Sequence, residues 1–159
     1  MFGFHDLLLH TDGKFTGAVY THFDHTLFGL MRVRSDGHLD TAWGSGGLVT
    51  TAFGTGPDSA RTLLQQTDGK FVLAGYSRSD RGVVALARYS TDGTLDNSFG
   101  TNGLARSQLG TDGAQGGDAY FSNGSFGLTA AILPDGRILV GGSIFNGQDT
   151  DLLIAAFWP

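Results

Sequence analysis

Short apolar runs, broken by polar turns that contain glycine, fill most of the chain. DLLLH, KFTGAVY and LFGLMRV come first, RTLLQQ, KFVLAGY and VVALARY next, and LTAAIL, RILVGGS and LLIAAFW last. Each run is shorter than the roughly 10–12 residues expected of a helix and fits the about 4–8 of a strand. Most are apolar nearly throughout, with little alternation, which suits strands covered on both faces. Between the first two runs of each set stands TDGK (Thr11–Lys14 and Thr67–Lys70) or PDGR (Pro134–Arg137). Asp-Gly between apolar runs predicts a hairpin, because glycine enters positive φ without a steric penalty.

The order of runs repeats. Placing Arg32 on Arg88 lays RVRSDGHLDTAWGSGGL over RYSTDGTLDNSFGTNGL, and the same register puts Leu8 on Leu64 and Tyr20 on Tyr76. Placing Asp68 on Asp135 starts a third copy, after the extra residues TDGAQGGDAYFSNGSFG. The reading is one domain, 1–159, with copies at about 4–50, 60–106 and 127–159 and an insertion at 111–127. Each copy resolves into strands a, b, c and d, with Asp-Gly turns after a and after c; the third has only a to c. Four-stranded antiparallel units stacked face to face are propeller blades. The predicted fold is all-β, with nearly three β-propeller blades in the chain. Rings have about four to eight blades, so closure is expected from oligomerisation, two chains giving six blades, or from the remainder of a longer chain. An open stack would uncover end-blade residues such as Phe15, Val19, Ile138 and Val140. The strand LLIAAFW would also need cover on its free edge.

Composition narrows the partners. All acidic residues are aspartate, lysine occurs only at Lys14 and Lys70, and glycine is abundant at 26 residues. Aspartate and glycine favour turns, whereas the missing glutamate favours helices. A net charge of −5 with no basic run speaks against nucleic acid, which needs clustered lysine and arginine. No apolar stretch approaches the about 18 residues of a membrane span. MFGFHDLLLHTDG lacks the basic start of a signal peptide; export by another route stays open. Cysteine is absent, which removes disulfides and thiolate metal sites.

Strand direction sorts the loops. The a–b and c–d turns share one face and carry the repeated Asp-Gly motif, a structural part with its cation (Lys14, Lys70, Arg137) solvated at the rim. No phosphate-binding G-x-x-x-x-G-K-[ST] pattern accompanies it. The b–c and d–a loops share the other face and vary between copies, as binding loops do. Candidate ligand-binding residues there are His22, Asp24, His25, Arg78, Asp80, Arg81, Tyr120, Phe121, Gln148 and Asp149. His22, Asp24 and His25 could hold a divalent metal for an enzyme, or form a solvated polar loop. Tyr120 and Phe121 could stack on sugar rings, as in a lectin, or cover a neighbouring blade. Asp40 and Asp96 read as local caps of their turns, and Arg32 and Arg88 as packing residues that bridge blades. No catalytic residue, cofactor or metal site is assigned, because no G-x-S-x-G, H-E-x-x-H or dinucleotide fingerprint is present. The leading expectation is a non-catalytic binding or scaffolding module whose partner is carbohydrate or another protein.

Asp68-Gly69-Lys70, Ala74-Gly75, Ala87-Arg88-Tyr89, Asp92-Gly93, Leu95-Asp96 and Ser98-Phe99-Gly100 resemble the delta-60 repeat family of bacterial β-propeller sequences. Asp12-Gly13-Lys14, Arg32, Asp36-Gly37, Leu39-Asp40 and Trp43-Gly44 match in the first copy, and Asp135-Gly136, Gly141-Gly142 and the strand at Ile154–Phe157 in the third. The resemblance implies a propeller, usually within longer exported or surface proteins, and brings no catalytic residues. The insertion and the missing fourth strand of the third copy depart from its pattern.

Overall fold

A computed structural model describes residues 2–21, 28–78, 83–107, 125–145 and 149–158. The apolar runs form eleven strands: β1 (Phe2–Leu9), β2 (Phe15–Thr21), β3 (Phe28–Val33), β4 (Leu48–Thr51), β5 (Asp58–Gln65), β6 (Phe71–Ser77), β7 (Val83–Tyr89), β8 (Leu104–Ser107), β9 (Ser125–Ile132), β10 (Ile138–Phe145) and β11 (Thr150–Phe157). They make three antiparallel sheets in the orders β1-β2-β3-β4, β5-β6-β7-β8 and β9-β10-β11. These are the blades of a β-propeller, the third with three strands among the described residues. Strands a are longer than the sequence runs suggest, reaching eight residues in β1, β5 and β9.

The Asp-Gly turns share one geometry. In the first, the Gly13 N–H donates to the His10 carbonyl at 3.0 Å and the His10 N–H to the Lys14 carbonyl at 2.8 Å. This is a three-residue hairpin loop, a type I turn followed by a left-handed glycine. The turns at Gly37, Gly69, Gly93 and Gly136 repeat the same pair of bonds, and all five glycines have φ between 80° and 88°. The aspartate before each glycine accepts the N–H two residues on, as Asp68 Oδ1 does from Lys70 at 3.1 Å.

The second blade shows why its strands are apolar throughout. Phe71, Leu73, Ala85, Ala87 and Tyr89 point to the first blade, where they bury Ala18, Phe28, Leu30, Trp43 and Phe53. The alternate residues Val72, Ala74, Val84 and Leu86 point to the third blade and bury Ile138, Val140, Leu153 and Ala155. Every residue of β7 is buried. Polar contacts tie the junction: Tyr89 Oη donates to Thr51 Oγ1 at 2.7 Å, the Leu63 N–H to Asp6 Oδ2 at 2.8 Å, and Trp43 Nε1 to the Thr91 carbonyl at 2.8 Å. Burial pushes the Tyr89 phenol well above its ordinary range.

One expectation needs correction. Val19, Ile138 and Val140 are buried. Ile138 and Val140 face the second blade, and Val19 lies over its own sheet in the space Gly29 leaves. The exposed large apolar residues among those described are instead Phe4, Leu7, Leu9 and Leu39 in the first blade and Leu152, Ile154 and Trp158 in the third.

Gly37 and Gly93 occupy matched turns with φ of 84° and 88°, but their surroundings differ. A Cβ on Gly37 would meet nothing within 4 Å, whereas one on Gly93 would lie 2.9 Å from the Trp43 ring. Gly37→Ala should therefore cost about 1 kcal/mol from the left-handed backbone alone. Gly93→Ala should cost at least about 1–2 kcal/mol more, because it also overpacks a blade junction. Urea unfolding of the two variants checks the ordering.

Candidate functional site

The two ends of the blades carry different chemistry. On the end with the Asp-Gly turns, an aspartate from the c–d loop gathers cations from strands b and c. In the second blade, Asp96 Oδ2 accepts from Arg88 Nε at 2.8 Å and lies 3.1 Å from Lys70 Nζ. Asp96 Oδ1 accepts from the Ser98 N–H at 3.1 Å and from Ser98 Oγ at 2.7 Å. In the first blade, Asp40 Oδ2 accepts from Lys14 Nζ at 3.1 Å, and Arg32 Nε stands 3.9 Å away. Arg32 and Arg88 lie over Trp43 and Phe99 of their own blades, at 5.8 and 4.8 Å.

This changes two sequence readings. Lys14 and Lys70 do not simply point into solvent; each is held by an aspartate that starts far away in the chain. Arg32 and Arg88 pack, but they clasp strand c to the c–d loop within one blade and do not bridge blades. Ala156 stands opposite Leu139 as Arg88 stands opposite Val72, so the third blade has no such arginine. Arg137 turns back to its own Asp135, Nε to Oδ2 at 2.8 Å, and lies 5.5 Å from the Trp158 ring.

The other end holds a column of rings and cations that crosses the first junction. Tyr20 and His5 stack with centroids 4.4 Å apart and planes 32° apart. Arg61 Nη1 is 3.3 and 3.4 Å from the two His5 ring nitrogens. Near equality to both nitrogens describes a guanidinium resting on the ring more than one aimed hydrogen bond. Arg61 Nη2 donates to Tyr76 Oη at 3.1 Å, and its guanidinium lies 5.4 Å from the Tyr76 ring. Arg78 lies 5.7 Å from the same ring. Arg61 Nε is buried without a hydrogen-bond partner, and among the described residues no carboxylate forms an ion pair with Arg61. Burial and, next, the Arg61 charge lower the His5 pKa, so the imidazole is neutral at neutral pH.

Local irregularity puts His5 and Arg61 there. The β1–β2 register shifts between Phe4 and Asp6, and the β5–β6 register between Ala60 and Thr62. Each bulge leaves one extra residue, His5 or Arg61, and re-aims it. The third blade repeats the bulge opposite Gly141 and Gly142.

Of the residues picked from sequence, Arg78 belongs to this column, and its N–H donates to the Pro57 carbonyl at 2.9 Å. Asp149 is exposed just before β11. His22, Asp24, His25, Asp80, Arg81, Tyr120, Phe121 and Gln148 lie outside the described residues, as does most of the 111–127 insertion. Sequence reading missed His5, Tyr20, Arg61 and Tyr76. The recurrence of Tyr20 and Tyr76 at matched positions was the available signal. Among the described residues, no three histidine, cysteine or acidic side chains gather as metal ligands, and no helix is long and apolar enough to cross a membrane.

A family model described as a domain of unknown function (DUF5122) beta-propeller matches residues 66–99 and 133–155. Both matched stretches begin at an a–b turn, so they fall in the same phase of the repeat. No curated protein matches the chain.

The aspartate clasp yields a pH signature. The bonds from Ser98 first, then Lys70 and Arg88, hold the Asp96 carboxyl far below the usual carboxylate range. A lowered folded-state pKa means the clasp contributes stability above the unfolded value near 3.8 and loses it as pH falls through the folded one. Asp96→Ala should cost about 3 kcal/mol at pH 7, because Arg88 is left charged and largely buried. The gap to wild type should narrow progressively below about pH 4. Unfolding midpoints of both proteins across pH 2–7 measure it.

Proposed function

We propose that this chain is a non-catalytic binding module of propeller type, with its ligand surface on the end that carries the b–c and d–a loops. The observation that supports it is Arg61, a half-buried guanidinium stacked on His5 and Tyr76, its Nε buried without a hydrogen-bond partner and no carboxylate of the described residues pairing with it. At the opposite end Lys14, Lys70, Arg88 and Arg137 each meet an aspartate, so that charge is already satisfied by the blade itself. An arginine held between rings is a preformed donor for carboxylate or other oxyanion groups. Acidic saccharides and acidic peptides both carry such groups.

The recurring Asp-Gly, Leu-Asp and aromatic-Gly positions support affiliation with the delta-60 repeat family. As partners, we infer a second copy of the chain or further blades of a longer one, because a blade stack closes only when both end faces are covered. The lectin reading through Tyr120 and Phe121 and the metal-enzyme reading through His22, Asp24 and His25 draw no added support from the described geometry.

Amide shift mapping by NMR tests the binding reading, with acidic oligosaccharides, neutral oligosaccharides and acidic peptides as probes. Shifts should cluster around His5, Tyr20, Arg61, Tyr76 and Arg78. Arg61→Ala should weaken binding at least about tenfold, the scale of one lost charge-assisted hydrogen bond. Shifts confined to the Asp-Gly turns, or none with any probe, would refute the reading.

A further inference from the structure

Among the described residues, the first and third blades each leave one sheet face without a neighbouring blade, and the two faces are a matching pair. The second blade meets the first through Leu63, Phe71, Leu73, Ala85 and Tyr89. The equivalent face of the first blade, set by its strand register, carries Leu7, Leu9, Phe15, Gly17, Gly29 and Met31. Leu7 and Leu9 are 55% and 75% exposed there. The second blade meets the third through Val72, Ala74, Val84 and Leu86. The equivalent face of the third carries Leu139, Gly141, Leu152, Ile154 and Ala156. Leu152 and Ile154 are 78% and 63% exposed.

In the first blade, Phe4 and Val19 lie over Gly17 and Gly29, so that the space the glycines leave is filled by apolar side chains. In the third blade, Leu152 and Ile154 stand up as a ridge along β11. Neither set includes a charged side chain, so pairing them neither repels nor strips a charge of water.

We propose that a second copy of this chain covers both faces. The Leu152–Ile154 ridge of each copy packs on the Leu7–Leu9 face of the other, continuing the blade-on-blade contact already present within the chain. The proposal rests on the ring-closure reading above and names its partner. Each copy of the 159-residue chain brings three blades, and six is the multiple of three within the about four to eight of propeller rings. A head-to-tail contact that closes gives a ring with two identical junctions; one that does not gives a filament.

Sedimentation equilibrium of the 159-residue chain should give a dimer, about twice 16.7 kDa. Ile154→Asp removes one face and Leu7→Lys the other. Both residues are exposed, so each variant should keep the wild-type far-UV circular dichroism and become monomeric. Mixing the two variants should restore a dimer through the one intact junction, since each brings the face the other lacks. A monomeric wild type, an open series of larger species, or a dimer that survives either substitution would overturn the proposal. Ligand titration on the same samples separates the two readings. A monomer that still shows shifts around Arg61 sinks the pairing alone. A dimer without those shifts sinks the binding surface alone.

Discussion

Burial of each sheet on both faces is the constraint on which the rest depends. A four-stranded sheet has no interior of its own. Most of its apolar side chains leave water when another blade lies against them, at roughly 25 cal/mol per Å² of apolar surface covered. The second blade meets that condition on both sides, and Val84, Ala85, Leu86 and Ala87 are completely buried in consequence. The outer blades meet it on one side, and β11 accordingly alternates between buried Leu153 and Ala155 and exposed Leu152 and Ile154. The same sequence pattern thus gives different burial according to how many neighbours the blade has.

Polar chemistry follows from that arrangement. With the faces given mostly to apolar contact, most of the charge among the described residues lies at the two ends of the blades and in the loops, Asp6 at the first junction being an exception. At one end, aspartate closes the turns and neutralises lysine and arginine locally. At the other, bulges in β1 and β5 turn His5 and Arg61 out of the regular pleat and against the rings of Tyr20 and Tyr76. At the first end Lys14, Lys70, Arg88 and Arg137 each meet an aspartate, whereas at the other Arg61 rests on rings with no carboxylate of the described residues beside it.

Much of the architecture is legible in the sequence, because short apolar runs and Asp-Gly pairs report local geometry. The repeat register carries it to blades, and the glycine conformations at Gly13, Gly69 and Gly136 follow. Three features are less legible. Which parity of an apolar strand faces a neighbour does not show when both parities are apolar, so Ile138 and Val140 look as exposable as Leu139. The clasp of Lys14 with Asp40, or Lys70 with Asp96, joins residues from different hairpins, although their recurrence in matched copies hints at a shared task. The bulges leave no residue signature at all, and without them Arg61 reads as one more polar position in a strand.

The two tryptophans sit in opposite environments. Trp43 is buried between the first and second blades, its indole N–H bonded to the Thr91 carbonyl, while Trp158 is 74% exposed beside Arg137. The molecule therefore carries two tryptophan fluorophores, one emitting from a dry junction and one from the wet end face. Their emission should differ in wavelength and in access to soluble quenchers, so separation of the first two blades and covering of the last can be followed as separate optical events in the unlabelled protein.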